Sequence, residues 1–150
     1  MKQVLVVHGP NLNLLGTRET DIYGSQTLDE INKELIRAGK NLGIEILAFS
    51  SNHEGELIDF IQKMGERADG LIINPAAYTH TSVAIRDAIL ARDLLTIEIH
   101  LSNIYKRESF RQHSYFHDIS AGVIMGFGAF GYQLALRAMD QLLKAPPRKG

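Results

Sequence analysis

Short apolar runs without alternating polarity, each followed by a stretch at helical spacing, constrain this chain more than any other feature. Gln3-Val4-Leu5-Val6-Val7-His8, closed by Gly9-Pro10, reads as a strand buried on both faces. Ile44 to Phe49, Leu71 to Asn74, Leu95 to His100 and Gly122 to Gly126 supply four more runs of strand length. Between them, Thr27-Leu28-Asp29-Glu30 fits a capping box, and Leu28, Ile31, Leu35, Ala38 and Leu42 recur at helical spacing until Gly43. Leu57, Ile58, Ile61 and Met64 mark a second helix, Ser82 to Arg92 a third, and Phe130 to Lys144 a last. This alternation predicts an α/β fold: a doubly wound, five-stranded parallel sheet in the flavodoxin-like order 2-1-3-4-5, with helices on both faces. One catalytic-size domain spans 1–150, with a flexible tail from about 145.

Composition narrows the chemistry. A chain of 150 residues can bury a core without covalent staples. Zero cysteines exclude disulfides, cysteine-held metals and thiol nucleophiles. A formal charge of −1 gives no basis for a nucleic-acid or membrane-surface partner. Met1-Lys2-Gln3 runs straight into the first strand without a signal-peptide layout, and no apolar run reaches membrane-span length. A cytoplasmic location is the expectation.

Ligands of such sheets bind beyond the carboxyl ends of the strands, near the switch between strands 1 and 3. The segments there are Gly9 to Gln26, Pro75 to Thr81 and Leu101 to Ser120; the first and last are long for βα loops. The first carries Arg18 and Tyr23 between Gly16 and Gly24, which suits a lid with glycine hinges. A tyrosine serves as a base only where its phenolate is stabilised, and a nearby guanidinium does that. On strand 4, Glu98 and His100 are two apart and point to one face, so the carboxylate can fix the tautomer of the imidazole. Asn11, Asn74, His80, Ser102 and Arg111 offer amides, imidazole, hydroxyl and guanidinium to a small, oxygen-rich anion. Proton transfer fits this inventory better than imine chemistry.

Two motifs yield to plainer readings. Gly126-Phe127-Gly128-Ala129-Phe130-Gly131 matches G-x-G-x-x-G, but no further strand follows its helix, so close helix packing explains the glycines better. His113 and His117 could pair on a metal; without a further ligand cluster in the sequence they read as solvated or locally hydrogen-bonded loop residues.

The strings His8-Gly9-Pro10-Asn11-Leu12-Asn13-Leu14-Leu15-Gly16, Asn74-Pro75-Ala76-Ala77-Tyr78-Thr79-His80-Thr81-Ser82, and Glu98-Ile99-His100-Leu101-Ser102-Asn103 with Phe110-Arg111-Gln112-His113-Ser114 resemble the type II 3-dehydroquinate dehydratases of the shikimate and quinate pathways. The resemblance covers essentially the whole chain. Thr20 departs from it where many relatives have proline, and Tyr105-Lys106 replace smaller or imidazole side chains. It implies anti elimination of water from 3-dehydroquinate through an enolate, with no cofactor and no metal. Tyr23 would be the base, Arg18 would favour its phenolate, Asn11 would help hold a water on the enolate oxygen, and His100, oriented by Glu98, would protonate the departing hydroxyl. Asn74, His80, the backbone amides of Leu101 and Ser102, and Arg111 would bind substrate. The resemblance also implies a dodecamer built from trimers, in which Asp87 reaches toward a neighbour's site.

The alternative from another class is a non-catalytic flavodoxin-like module that binds a nucleotide or phosphate, motivated by the Gly126 to Gly131 match. A lyase acting on another polyhydroxylated keto acid is a third reading.

Overall fold

The computed structural model describes residues 1–17, Asp21 and 24–145. Five parallel strands form one sheet: β1 Lys2–His8, β2 Ile44–Ser50, β3 Gly70–Asn74, β4 Thr96–His100 and β5 Gly122–Met125. Their order is β2-β1-β3-β4-β5, as the alternation predicts. The helices are α1 Leu28–Asn41, α2 Glu54–Gly65, α3 Val83–Ala91 and α4 Phe130–Lys144. Boundaries move by a residue or so: Ser82 is the cap of α3 rather than its first residue, and its hydroxyl accepts the Ile85 N–H at 2.9 Å. Thr27 likewise accepts the Glu30 N–H at 3.2 Å, the cap-to-N3 half of a capping box.

Strand alternation divides the interior into two cores. Val4, Val6, Ile72, Ile97 and Ile99 pack with Ile31 and Leu35 of α1 and with Leu136 and Met139 of α4. Leu5, Val7, Leu71 and Ile73 pack on the opposite face with Leu57 and Ile61 of α2 and Ile85 and Ile89 of α3. Successive residues of β1 thus feed different layers, which is why its sequence shows no period-two polarity.

The same parity aims the strand ends. His8 follows Val6 and Asn74 follows Ile72, so both face α1 and α4, and they pair in register. Glu98 and His100 interleave with Ile97 and Ile99, so they face the α2 and α3 side. The loops beyond these ends contain short 3₁₀ turns, Leu12–Leu14, Ala76–His80, Ile104–Lys106, Ser109–Gln112 and His117–Ile119, where the sequence predicts only loop. The first and second loops touch at Gly9. Its N–H donates to Asn74 O at 2.8 Å, and a Cβ there would meet Pro75 O at 2.3 Å. The Gly126 motif is explained by packing and backbone: a Cβ on Gly131 would lie 3.2 Å from Ile99 Cδ1, while Gly126 and Gly128 sit at φ 96° and 59°.

Candidate active site

A cavity of about 180 Å³ opens beyond the carboxyl ends of β1, β3 and β4. Seven residues expected at the site line it: Asn11, Asn74, His80, His100, Leu101, Ser102 and Arg111. Glu98 stands behind His100, fully buried. Asp87 is exposed on α3 and does not line this cavity. Arg18 and Tyr23 lie outside the described residues, as does the tail from 146 onward.

Two residues at the rim hold unusual backbone. Asn11 has φ 68° and its N–H donates to Asn52 Oδ1 at 2.8 Å; Ala76 has φ 52° and its N–H donates to Asn74 Oδ1 at 3.1 Å. Asparagine visits this region readily, whereas alanine does so at a cost of about 1–2 kcal/mol, held in place by its neighbours. The bond to Ala76 also fixes the Asn74 amide, leaving Nδ2 to point inward.

That inward bond begins a buried chain. Asn74 Nδ2 donates to Tyr132 Oη at 3.2 Å, and the Tyr132 hydroxyl lies 2.8 Å from His8 Nδ1. His8 Nε2 in turn lies 2.7 Å from Asn32 Oδ1. Since the amide oxygen can only accept, His8 carries its proton on Nε2, and Nδ1 accepts from tyrosine. Burial pushes the His8 imidazole down to about 4, so it is neutral at physiological pH, and burial pushes the Tyr132 phenol upward. No local spacing could link His8 to Tyr132, which are 124 positions apart.

The carboxylate–imidazole pair expected from the sequence is on β4. His100 Nε2 lies 2.5 Å from Glu98 Oε2, which leaves Nδ1 as the ring nitrogen available to a molecule in the cavity that His100 lines. The same carboxylate oxygen accepts from Ser114 Oγ at 3.0 Å and, more weakly, from Thr79 Oγ1 at 3.5 Å. His80 Nδ1 donates to His113 O at 2.7 Å, and partial burial lowers its basicity. Arg111 is braced by Glu108, its Nε donating to Oε2 at 2.7 Å, and Arg107 joins the lining.

His113 and His117 do not form a pair. His113 stacks edge-on against Tyr115, whereas His117 turns toward the interior, with Nε2 3.3 Å from Glu98 Oε2. The reading of His117 as a solvated or local loop residue is therefore corrected: Phe116, fully buried, anchors the turn and draws the next residue inward.

The site can thus bind a small anion through guanidinium, amide and imidazole groups, and can exchange a proton through His100. The family model for class II dehydroquinase matches residues 2–140. Over 137 residues the chain is 57% identical to a 3-dehydroquinate dehydratase of Bordetella avium, covering 91% of this chain and 95% of that one. It is 56% identical over 147 residues to 3-dehydroquinate dehydratase 1 of Pseudomonas aeruginosa, covering 97% and 100%. The crystal structure of a type II dehydroquinase from Propionibacterium acnes superposes with a TM-score of 0.89 at 39% identity, over 94% of this chain and 97% of that one.

Proposed function

This chain belongs to the class II dehydroquinase family and acts as a hydro-lyase on 3-dehydroquinate, and we propose that it does so by anti elimination through an enolate. The observation that carries this reading is the Glu98–His100 pair set at the edge of a cavity lined with anion-binding groups.

In this mechanism the Tyr23 phenolate, favoured by Arg18, takes a proton from carbon 2, next to the carbonyl. The electron pair moves onto the carbonyl oxygen, giving an enolate stabilised by a water that Asn11 helps hold. The enolate then collapses and expels the hydroxyl on carbon 1, which receives a proton from His100 and leaves as water. Glu98 supports the imidazolium from the far side of the ring and keeps its orientation. Positioned acids and bases of this kind each contribute about 10²- to 10⁴-fold. The substrate carboxylate faces the backbone amides of Leu101 and Ser102, while Asn74, His80 and Arg111 hold the ring hydroxyls.

The proposal extends to the assembly and its setting. Residues 1–150 act as one catalytic domain in the cytoplasm, in a dodecamer built from trimers, with Asp87 serving a neighbour's cavity. Asp87 is exposed and outside its own cavity, and Phe110, Phe127 and Phe130 are each more than 60% exposed, both of which favour self-association. Among the described residues no helix is long and apolar enough to cross a membrane.

Substrate carrying deuterium at one of the two stereochemical positions on carbon 2 tests the stereochemistry. Loss of the hydrogen anti to the departing hydroxyl is expected; loss of the syn hydrogen would overturn the mechanism.

A further inference from the structure

We propose that Glu98, His100 and His117 form a binding site for one zinc-class divalent cation, and that filling it switches off proton delivery by His100. The ligand-capable atoms of these three side chains all lie within 4.8 Å of one another. Two of the three pairs are already close, at 2.5 Å for His100 to Glu98 and 3.3 Å for His117 to Glu98. Ligand atoms around a tetrahedral zinc, each bonded at about 2.0–2.1 Å, sit roughly 3.3 Å apart, so small side-chain adjustments suffice.

A second observation points to a ligand. Among the described residues, Glu98 Oε1 and His117 Nε2 are buried without a hydrogen-bond partner. His117 Nε2 is close to Oε2 but not aligned with it as a hydrogen bond. The carboxylate is therefore unevenly used: Oε2 meets His100, Ser114, Thr79 and His117, while Oε1 has no hydrogen-bond partner among the described residues. One oxygen of this buried carboxylate is thus left without a hydrogen bond, and a cation between the carboxylate and the two imidazoles would engage it. Two imidazoles and one carboxylate suit zinc and its neighbours, whereas magnesium and calcium need more oxygen ligands.

The segment that brings His117 in is braced. Arg86 of α3 makes a two-pronged ion pair with Asp118, at 2.5 and 2.9 Å, and donates to Tyr115 O at 2.8 Å. His117 thus follows one fixed residue and precedes another, and its side chain, 25% exposed against 0% for Glu98 and 6% for His100, gives the cation a way in from solvent. Ser114 Oγ is already engaged, donating to Glu98 Oε2 at 3.0 Å and accepting the Phe116 N–H at 3.0 Å, so solvent would supply the remaining coordination position.

The consequence for turnover rests on the role proposed for His100. A metal on Nε2 takes the place of the proton facing Glu98. The Nδ1–H that remains belongs to a metal-bound neutral imidazole, a far weaker acid than imidazolium. The departing hydroxyl then has no adequate proton donor.

The test uses the chelator-treated full chain. Calorimetry with Zn²⁺ is expected to give one equivalent per chain in wild type, and Co²⁺ to give the intense visible absorption of a low-coordinate nitrogen and oxygen site. His117→Ala and His117→Gln should each keep near-native turnover without metal and weaken Zn²⁺ binding by about 100-fold or more, since even indirect support of a metal ligand is worth about 10- to 100-fold. Turnover of the wild type should fall in step with occupancy and return with chelator. No binding by wild type, the weak absorption of solvated Co²⁺, or equal affinity in the His117 variants would overturn the site. Tight, His117-dependent binding that leaves turnover unchanged would instead overturn the role of His100 as the acid.

Discussion

His100 Nε2 lies 2.5 Å from Glu98 Oε2, two residues away on the same face of β4. The carboxylate is fully buried and the imidazole side chain only 6% exposed, so the pair is shielded from competing water while one ring edge still reaches the cavity. Replacing His100, the proposed acid, should therefore strike the chemical step. His100→Ala is expected to lower kcat about 10²- to 10⁴-fold with a small change in KM. Glu98→Gln removes the charge proposed to support the imidazolium and should lower kcat in the same direction by a smaller factor. Steady-state kinetics on both variants, with substrate binding measured separately, check this.

Tyr132 links the last helix to two strand ends through a single hydroxyl. Tyr132→Phe leaves His8 Nδ1 and Asn74 Nδ2 buried without that partner, at an expected cost of about 1–3 kcal/mol. Because Asn74 lines the cavity, KM should rise as well. Urea unfolding and substrate-dependent kinetics would separate the two effects. An unchanged denaturation midpoint would show that this buried hydrogen-bonded series contributes nothing to stability.

The pH dependence of stability follows from His8. Burial holds its imidazole at about 4 in the folded chain, against an ordinary 6.5. Between those values the unfolded chain binds more protons, so stability rises with pH through this window. The contribution is fully present above about 6.5 and is lost as pH falls toward 4. Its size is roughly 3 kcal/mol, at about 1.4 kcal/mol for each unit of difference. Denaturation series at several pH values should show this loss, and it should shrink in His8→Asn.

Gly9→Ala tests the contact between loops. The added Cβ would lie 2.3 Å from Pro75 O and 2.6 Å from Pro75 C, both backbone atoms with no flexible end to yield. The segments after β1 and β3 must then separate, at an expected cost of about 1–3 kcal/mol. Pro10, Asn11 and Ala76 line the cavity on either side of this contact, so activity should fall with stability.

The architecture was legible because buried parallel strands leave short apolar runs, and β1 shows why: Val4 and Val6 enter one core while Leu5 and Val7 enter the other. Glu98 and His100 were legible for a related reason, since their two-residue spacing on a strand determines a shared face. The chain from Asn74 through Tyr132 to His8 and Asn32 was not, because it is made by tertiary packing across 124 positions. His117 was hidden in the same way, for its neighbour Glu98 lies on a different element and only the buried Phe116 turns it inward. The left-handed backbone at Ala76 also had no marker, since alanine seldom adopts it.

Proton transfer alone, without a covalent imine, is the chemistry proposed for dehydration of 3-dehydroquinate at this site. Purified protein is mixed with 3-dehydroquinate, with and without borohydride, and the enone absorbance of the product is followed. Absorbance is expected to appear, and borohydride with substrate is expected to leave the enzyme active. Absence of the enone, or inactivation by borohydride only when substrate is present, would contradict it.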